Sequence, residues 1–149
     1  MSAEPADAQV KVLIDRVASA WNTHNARAFR DCCAPEAAYV TISGEVLHGP
    51  DAIEHRFLRV HRSTNGPPQI DLGGFELMRP EPDSKLAVIK GQAIRGDRRR
   101  SAVMTMMARR MPDGEWRLYY IHFALVLPEP PSLWRRALSM LRQMRQVRV

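Results

Sequence analysis

Two histidines are the side chains in this sequence best placed for acid–base chemistry. His122 stands near the end of the alternating segment 113–126, and His61 lies on an apolar stripe of helical spacing. A neutral imidazole in an apolar cavity can accept or donate a proton near pH 7. With Tyr39 or Tyr120 beside them, the two rings would form an acid–base set of the dehydratase type. We therefore take His122 and His61 as the candidate catalytic residues.

Both histidines also have structural interpretations. His122 could be a core histidine whose ring is bound to a backbone carbonyl, and His61 could be a partly exposed residue at a helix end. The two interpretations differ in one geometric point, which is whether each ring faces a cavity.

The sequence argues against metal chemistry and against a pair of carboxylates. No two histidines have ligand spacing such as HxxxH. Cys32 and Cys33 are adjacent and form no CxxC motif, so we interpret them as buried structural residues. Asp71 and Glu76 fall on opposite faces of one predicted strand and cannot form a dyad. We expect no metal and no cofactor.

Aromatic and apolar residues predict a pocket around the histidines. Trp21 ends the apolar stripe of the first predicted helix, where it packs in the core or forms a wall against a flat hydrophobic ligand. Methionines on a later strand fill the core or line an adaptable pocket. Besides the two histidines, we expect the pocket to be lined by Trp21, Tyr39, Phe57, Met104 and Tyr120.

Three helices are predicted in the first half of the chain. From Asp7, an N-cap candidate, apolar residues recur at helical spacing as far as Trp21. A short helix follows at 26–33, for which Asn25 is a suitable cap. The Gly-Pro-Asp sequence at 49–51 opens the third helix, with proline in its favoured first turn.

The second half alternates with a period of two. Four long strands are predicted, after a short strand at 38–42, at 69–79, 85–95, 99–110 and 115–127. Their short connections suit antiparallel hairpins, and Gly73-Gly74 predicts a bulge. Strict alternation on the last strand places four residues on the face that we expect to line the cavity: Trp116, Leu118, Tyr120 and His122. Helices first and strands after predict an α+β fold with a strongly curved sheet.

The two ends of the chain differ from the central domain at 7–127. Residues 1–6 are predicted to be disordered, 128–131 a proline-rich linker, and 132–149 a basic amphipathic helix. Five arginines of that helix supply most of the net charge of +6, so the domain itself is no nucleic-acid platform. The helix either packs on its own domain or a dimer mate, or it binds a partner or an anionic membrane surface.

Two further features concern location. No apolar run approaches the length of a membrane span, about 20 residues. The N-terminal residues are polar and partly acidic, unlike a signal peptide. We expect a cytoplasmic protein.

An ordered set of motifs accompanies this pattern: Trp21-Asn22, Ala34 to Val40, Ser43 to Glu45, Gly49 to Ile53, and Asp113 to Leu118 with His122. Over residues 7–127 the chain resembles the nuclear transport factor two-like superfamily, in its SnoaL-like branch and its small bacterial SgcJ/EcaC group. The resemblance implies a cone-shaped antiparallel sheet with about three helices on its concave face. It also implies a pocket between helices and sheet, and a homodimer formed through the sheet.

The resemblance does not select a function, because this superfamily contains isomerases, dehydratases and cyclases as well as binding and structural members. Ketosteroid isomerase uses a strand aspartate as its base, and the matching position here is Thr41. Its oxyanion tyrosine falls near Val17. Since both groups are missing, we do not expect isomerisation by that set, and we interpret Thr41 as a ligand-binding residue.

Two hypotheses follow. In the first, the protein binds a small hydrophobic molecule, or acts on one as a lyase, isomerase or cyclase without a cofactor. In the second, it is a non-catalytic dimeric interaction domain whose basic C-terminal helix binds a partner or a membrane surface.

Overall fold

A computed structural model describes residues 4–63 and 66–128, which form three helices and a six-stranded sheet. The predicted basic helix at 132–149 and most of the predicted linker lie outside the described residues. The elements in chain order are α1 (Glu4–Asn22), α2 (Ala26–Asp31), β1 (Cys33–Val40), β2 (Val46–His48), α3 (Gly49–His61), β3 (Pro68–Glu81), β4 (Ser84–Arg95), β5 (Arg98–Arg110) and β6 (Trp116–Leu125). The predicted α+β class is confirmed.

The helix starts follow the predicted chemistry in two cases out of three. Asn25 caps α2 by accepting a hydrogen bond from the Ala28 N–H at 3.0 Å, and proline occupies the first turn of α3. The first helix begins at Glu4 instead of after Asp7. Asp7 lies inside its first turn and bonds Arg79 on β3, so this carboxylate ties the helix to the sheet instead of capping it.

The strands form one sheet in the order β2-β1-β6-β5-β4-β3. Every neighbouring pair is antiparallel except β1 and β6, which are parallel. The prediction of a wholly antiparallel sheet is therefore wrong at this pair. No tight turn joins β1 to β6, because α3 and the β3–β5 meander lie between them, and only hairpin connections impose antiparallel pairing.

Long hairpins join β3, β4 and β5. The predicted bulge at Gly73-Gly74 is confirmed, since the β3–β4 register shifts between Leu72 and Phe75. A Cβ on Gly73 would stand 2.5 Å from the Lys90 carbonyl oxygen, so the two strands approach here as only glycine permits.

A second irregularity lies in β6. Leu118 pairs with Ala108 and Tyr120 pairs with Met107, which leaves Tyr119 without a partner on β5. Such a bulge shifts the alternation by one residue. Trp116 and Leu118 point into the core before the bulge, whereas Ile121 does so after it.

The helices cover one face of the sheet, and the core lies between them. Val10, Leu13, Ile14 and Val17 on α1 are almost fully buried there, as the apolar spacing of this helix predicts. At the far end of α1, the Asn22 side chain donates to the Ile70 carbonyl at 2.9 Å and accepts from its N–H at 2.8 Å. This double hydrogen bond fixes the end of α1 against the start of β3.

Candidate ligand-binding site

A cavity of about 580 Å³ lies between the helices and the covered face of the sheet. Small-molecule sites typically measure about 300–1,000 Å³. The helices line it with Val17, Trp21, Phe29, Phe57 and Val60. The sheet lines it with Tyr39, Ile70, Met104, Met106, Ile121, Phe123 and Leu125. Most of the wall is therefore apolar, aromatic or thioether, which suits a hydrophobic ligand.

An aromatic cluster forms the helical wall. The Trp21 ring centroid lies 5.2 Å from that of Phe57 and 5.9 Å from that of Phe29, at steep interplanar angles. Such tilted contacts are the favoured geometry for aromatic pairs. The indole N–H of Trp21 is buried and finds no hydrogen-bond acceptor among the described residues. Ring packing therefore holds the indole in place.

His61 belongs to this cluster and does not line the cavity. Its ring stacks on Phe57 with centroids 3.9 Å apart. Its Nδ1 lies 2.9 Å from the Phe57 carbonyl oxygen, and its Nε2 lies 3.1 Å from the Trp21 carbonyl oxygen. Burial lowers the pKa of His61, although the two carbonyls oppose the shift. The imidazole thus links the ends of α3 and α1, and the prediction that it faces His122 across the cavity is wrong.

His122 and Tyr120 lie on the other face of the sheet. Their strand partners are Thr105 and Met107, whereas the cavity is lined by the alternate residues Ile121 and Phe123. The prediction that they share a face with Leu118 is wrong, because the bulge at Tyr119 shifts the alternation. Neither side chain can reach a ligand in the cavity.

Tyr39 and Thr41 both line the cavity. Burial raises the pKa of Tyr39 to about 12, and nearby Arg56 opposes the shift. The phenol therefore stays protonated and can donate a hydrogen bond to a ligand. The Thr41 hydroxyl is already engaged, since it lies 3.0 Å from the Ser43 Oγ and accepts from the Glu45 N–H at 3.2 Å.

Arginines supply the charged part of the cavity wall. Two come from α3, one from the end of β4 and two from the start of β5: Arg56, Arg59, Arg95, Arg98 and Arg100. Glu45 is the acid that pairs with this group in the described structure, with its Oε2 3.6 Å from Arg56 Nε and 3.3 Å from Arg59 Nη2. One carboxylate is therefore shared by two guanidinium groups.

The apolar wall was predictable from the sequence, whereas the charged part was missed. The structure brings Trp21, Tyr39, Thr41, Phe57 and Met104 together around the cavity and leaves out His61, Tyr120 and His122. The missed polar residues are Ser63, Gln69 and the arginines. The signal available for two of them was the period-two spacing of Arg98 and Arg100, which places both on one face of a strand.

The lining limits the chemistry that the cavity can do. Over residues 4–63 and 66–128, it includes no aspartate, glutamate, histidine, lysine or cysteine. Its polar side chains are the arginines, a high-pKa tyrosine, serine, threonine and glutamine. These can donate hydrogen bonds, but none is a general base near neutral pH.

The cysteines are equally inert. Both thiols are buried and free, and burial raises the pKa of Cys33 to about 12. The described residues also contain no cluster of three or more side chains suited to holding a metal ion. None of the helices in the described part is long and apolar enough to cross a membrane.

Comparison with solved structures identifies the fold. An uncharacterised protein from Caulobacter vibrioides with a cystatin-like fold is 23% identical with a TM-score of 0.75, covering 83% of this chain and 91% of that one. An NTF2-like protein of unknown function from Pseudomonas putida is 16% identical with a TM-score of 0.75, covering 87% and 92%. A ketosteroid isomerase-like protein from Erwinia carotovora is 12% identical with a TM-score of 0.67, covering 81% and 96%.

These likenesses confirm the nuclear transport factor two-like, cystatin-like fold and leave the SnoaL-like branch a prediction. Searches with family models and against curated proteins find no match.

Proposed function

We propose that this protein binds a small hydrophobic molecule in the cavity without transforming it. The observation that carries the proposal is the composition of the wall, which is apolar over most of its area and offers no proton acceptor near neutral pH among the described residues. Burial of apolar ligand surface supplies the free energy, at about 25 cal/mol per Å². The lyase, isomerase and cyclase alternatives lose their acid–base group, because His61 and His122 lie outside the lining.

A fluorescent reporter tests this proposal. N-phenyl-naphthylamine is uncharged and brightens when it enters an apolar site, so its titration gives a dissociation constant directly. We expect saturable binding to the wild-type protein. Ala93→Trp should weaken it at least tenfold, because the half-buried Ala93 lines the cavity and an indole there fills ligand space.

Val12→Trp is the matched control, since Val12 is 57% exposed on α1 and does not line the cavity. It should leave the dissociation constant unchanged. Absence of saturable binding to the wild-type protein, or equal loss in both variants, would contradict the proposal.

A second proposal concerns assembly: the protein forms a homodimer through the uncovered face of its sheet. The supporting observation is the apolar character of this face, where Val103, Thr105, Met107, Tyr120, His122 and Ala124 are only half-buried. Contiguous apolar surface of this kind typically marks an interface. His122 and Tyr120 would then contact a second copy of the chain.

Thr105→Arg tests the dimer, since Thr105 pairs with His122 on two central strands of the sheet. The wild-type mass by light scattering should be twice that of the chain, and the variant should be monomeric. Val12→Arg on the exposed side of α1 is the control for the same added charge and should stay dimeric. A monomeric wild-type protein would refute this proposal and leave the cavity proposal intact.

A further inference from the structure

We propose that the ligand of the cavity is an amphipathic anion, with an apolar body in the cavity and a carboxylate held by the arginines of its wall. This inference rests on the proposed binding function and adds the class of ligand. It is carried by the number of guanidinium groups in the lining and by the absence of acidic side chains from that lining over the described residues.

The charge around the cavity is unbalanced. Arg56 and Arg59 share the single carboxylate of Glu45. Arg95, Arg98 and Arg100 form no ion pair with any of the described residues. Five guanidinium groups therefore line the cavity, and among the described residues Glu45 is the one acid that forms an ion pair with any of them. Because clefts of one sign of charge with low-dielectric walls concentrate the field, they attract ligands of opposite sign.

Two of these arginines repel each other across the β4–β5 hairpin. Arg95 and Arg98 are direct cross-strand partners at the end of the β4–β5 hairpin. Like charges directly opposite each other destabilise an antiparallel pair. A bound anion would relieve this repulsion, so the hairpin end is better suited to a charged ligand than to an empty cavity.

The arginines of the cavity wall also differ in how deeply they are buried. Arg56 and Arg95 are half-buried, whereas Arg59, Arg98 and Arg100 are exposed. Half-buried charges are screened less by water and salt than exposed ones. The guanidinium fork fits the two oxygens of a carboxylate, and the protonated Tyr39 hydroxyl beside Arg56 is a further donor. The cavity thus combines cationic donors with an apolar wall.

The alternative explanation is that these arginines are only solvated and hold no ligand, as is common for arginines at a hairpin end. The chain offers an internal comparison. Arg99 stands between Arg98 and Arg100, bonds Gln92 at 3.3 Å and does not line the cavity. If the arginines act only through overall charge, Arg99 should matter as much as its neighbours.

The experiment displaces the uncharged reporter with decanoate, decanol and decylamine, which share one alkyl chain and differ in head group. At about pH 7.5, decanoate should bind at least ~10-fold more tightly than decanol, as expected for one charge-assisted hydrogen-bonded contact. Decylamine should bind most weakly. Raising the salt concentration should shrink the difference between decanoate and decanol.

Arginine variants then locate the carboxylate. Arg98→Gln combined with Arg100→Gln, and separately Arg56→Gln, should remove most of the preference for decanoate while leaving the affinity for decanol unchanged. Arg99→Gln should keep the preference. Arg98, Arg99 and Arg100 are exposed, so the variants at these three positions are expected to fold normally.

The outcomes separate the two proposals. If the reporter binds but decanol displaces it as well as decanoate does, the anionic ligand class is wrong and the apolar cavity stands. The anionic ligand class is also wrong if Arg99→Gln reduces the preference as much as the other variants. If the reporter does not bind at all, the proposed function itself fails.

Discussion

The double hydrogen bond between Asn22 and Ile70 joins α1 to β3 beside the cavity. Asn22 is the last residue of α1, and Ile70 lies near the start of the edge strand β3. The Asn22 amide pairs with both the carbonyl and the N–H of Ile70, at 2.9 and 2.8 Å. Trp21 precedes this contact, and Trp21 and Ile70 both line the cavity. Replacing Asn22 by alanine should therefore affect both stability and ligand binding.

The expected cost follows from the two bonds. A net hydrogen bond contributes about 0.5–1.5 kcal/mol, and a buried group left without its partner costs about 1–3 kcal/mol. Asn22 is half-buried, so water can partly replace the lost contacts. We therefore expect Asn22→Ala to lower the free energy of unfolding by about 2 kcal/mol, which corresponds to about 1 kcal/mol for each of the two bonds.

Urea unfolding followed by tryptophan fluorescence measures this free energy. Thr23→Ala is the matched control one residue away, because the exposed Thr23 hydroxyl bonds only the Ser19 carbonyl in the last turn of α1 and makes no hydrogen bond to the described residues of β3. It should cost no more than about 0.5 kcal/mol, as for most surface substitutions. Equal losses of unfolding free energy in the two variants would refute the reasoning, since they would mean that the hydrogen bonds between α1 and β3 add no stability of their own.

Two further predictions concern His61 and the close approach of β3 and β4. Burial lowers the pKa of His61 below its ordinary value of 6.5, so the unfolded chain binds its proton at a higher pH than the folded one does. As the pH drops through about 6.5, the free energy of unfolding of the wild-type protein should thus fall relative to that of His61→Gln. Urea titrations at several pH values measure this difference, and a difference that does not change with pH would contradict the prediction. Gly91→Ala should cost about 1–3 kcal/mol, because its Cβ would stand 2.3 Å from the Asp71 carbonyl oxygen. Gly74→Ala, which meets nothing within 4 Å, is its control in thermal unfolding, and an equal loss in both would count against a steric origin.

Local patterns were sufficient to predict most elements of this fold. The apolar stripe ending at Trp21, the Asn25 cap and the Gly-Pro start of α3 are all read within a few residues of sequence. The four long strands follow from period-two alternation and short turns, and their observed bounds differ by two residues at most. These features depend on neighbours in the chain, so the sequence displays them directly.

The site was harder to predict because it depends on one residue and on distant strands. An extra residue at Tyr119 reverses which side chains of β6 face the cavity, and no composition signal marks this position. The parallel pairing of β1 with β6 joins segments about eighty residues apart. The arginines likewise come from α3, β4 and β5 and meet only in the folded chain. His122 is therefore a residue suited to acid–base chemistry, but it lies on the face of the sheet that does not line the cavity.

Methyl NMR of the methionines during a titration with N-phenyl-naphthylamine tests the central claim most directly. Met104 and Met106 line the cavity, whereas Met107 and Met78 lie on the opposite face of the sheet. Binding in the cavity predicts saturable shifts of the Met104 and Met106 methyl signals, with those of Met107 and Met78 unchanged. Shifts confined to Met107 and Met78 would place the ligand on the uncovered face and contradict binding in the cavity.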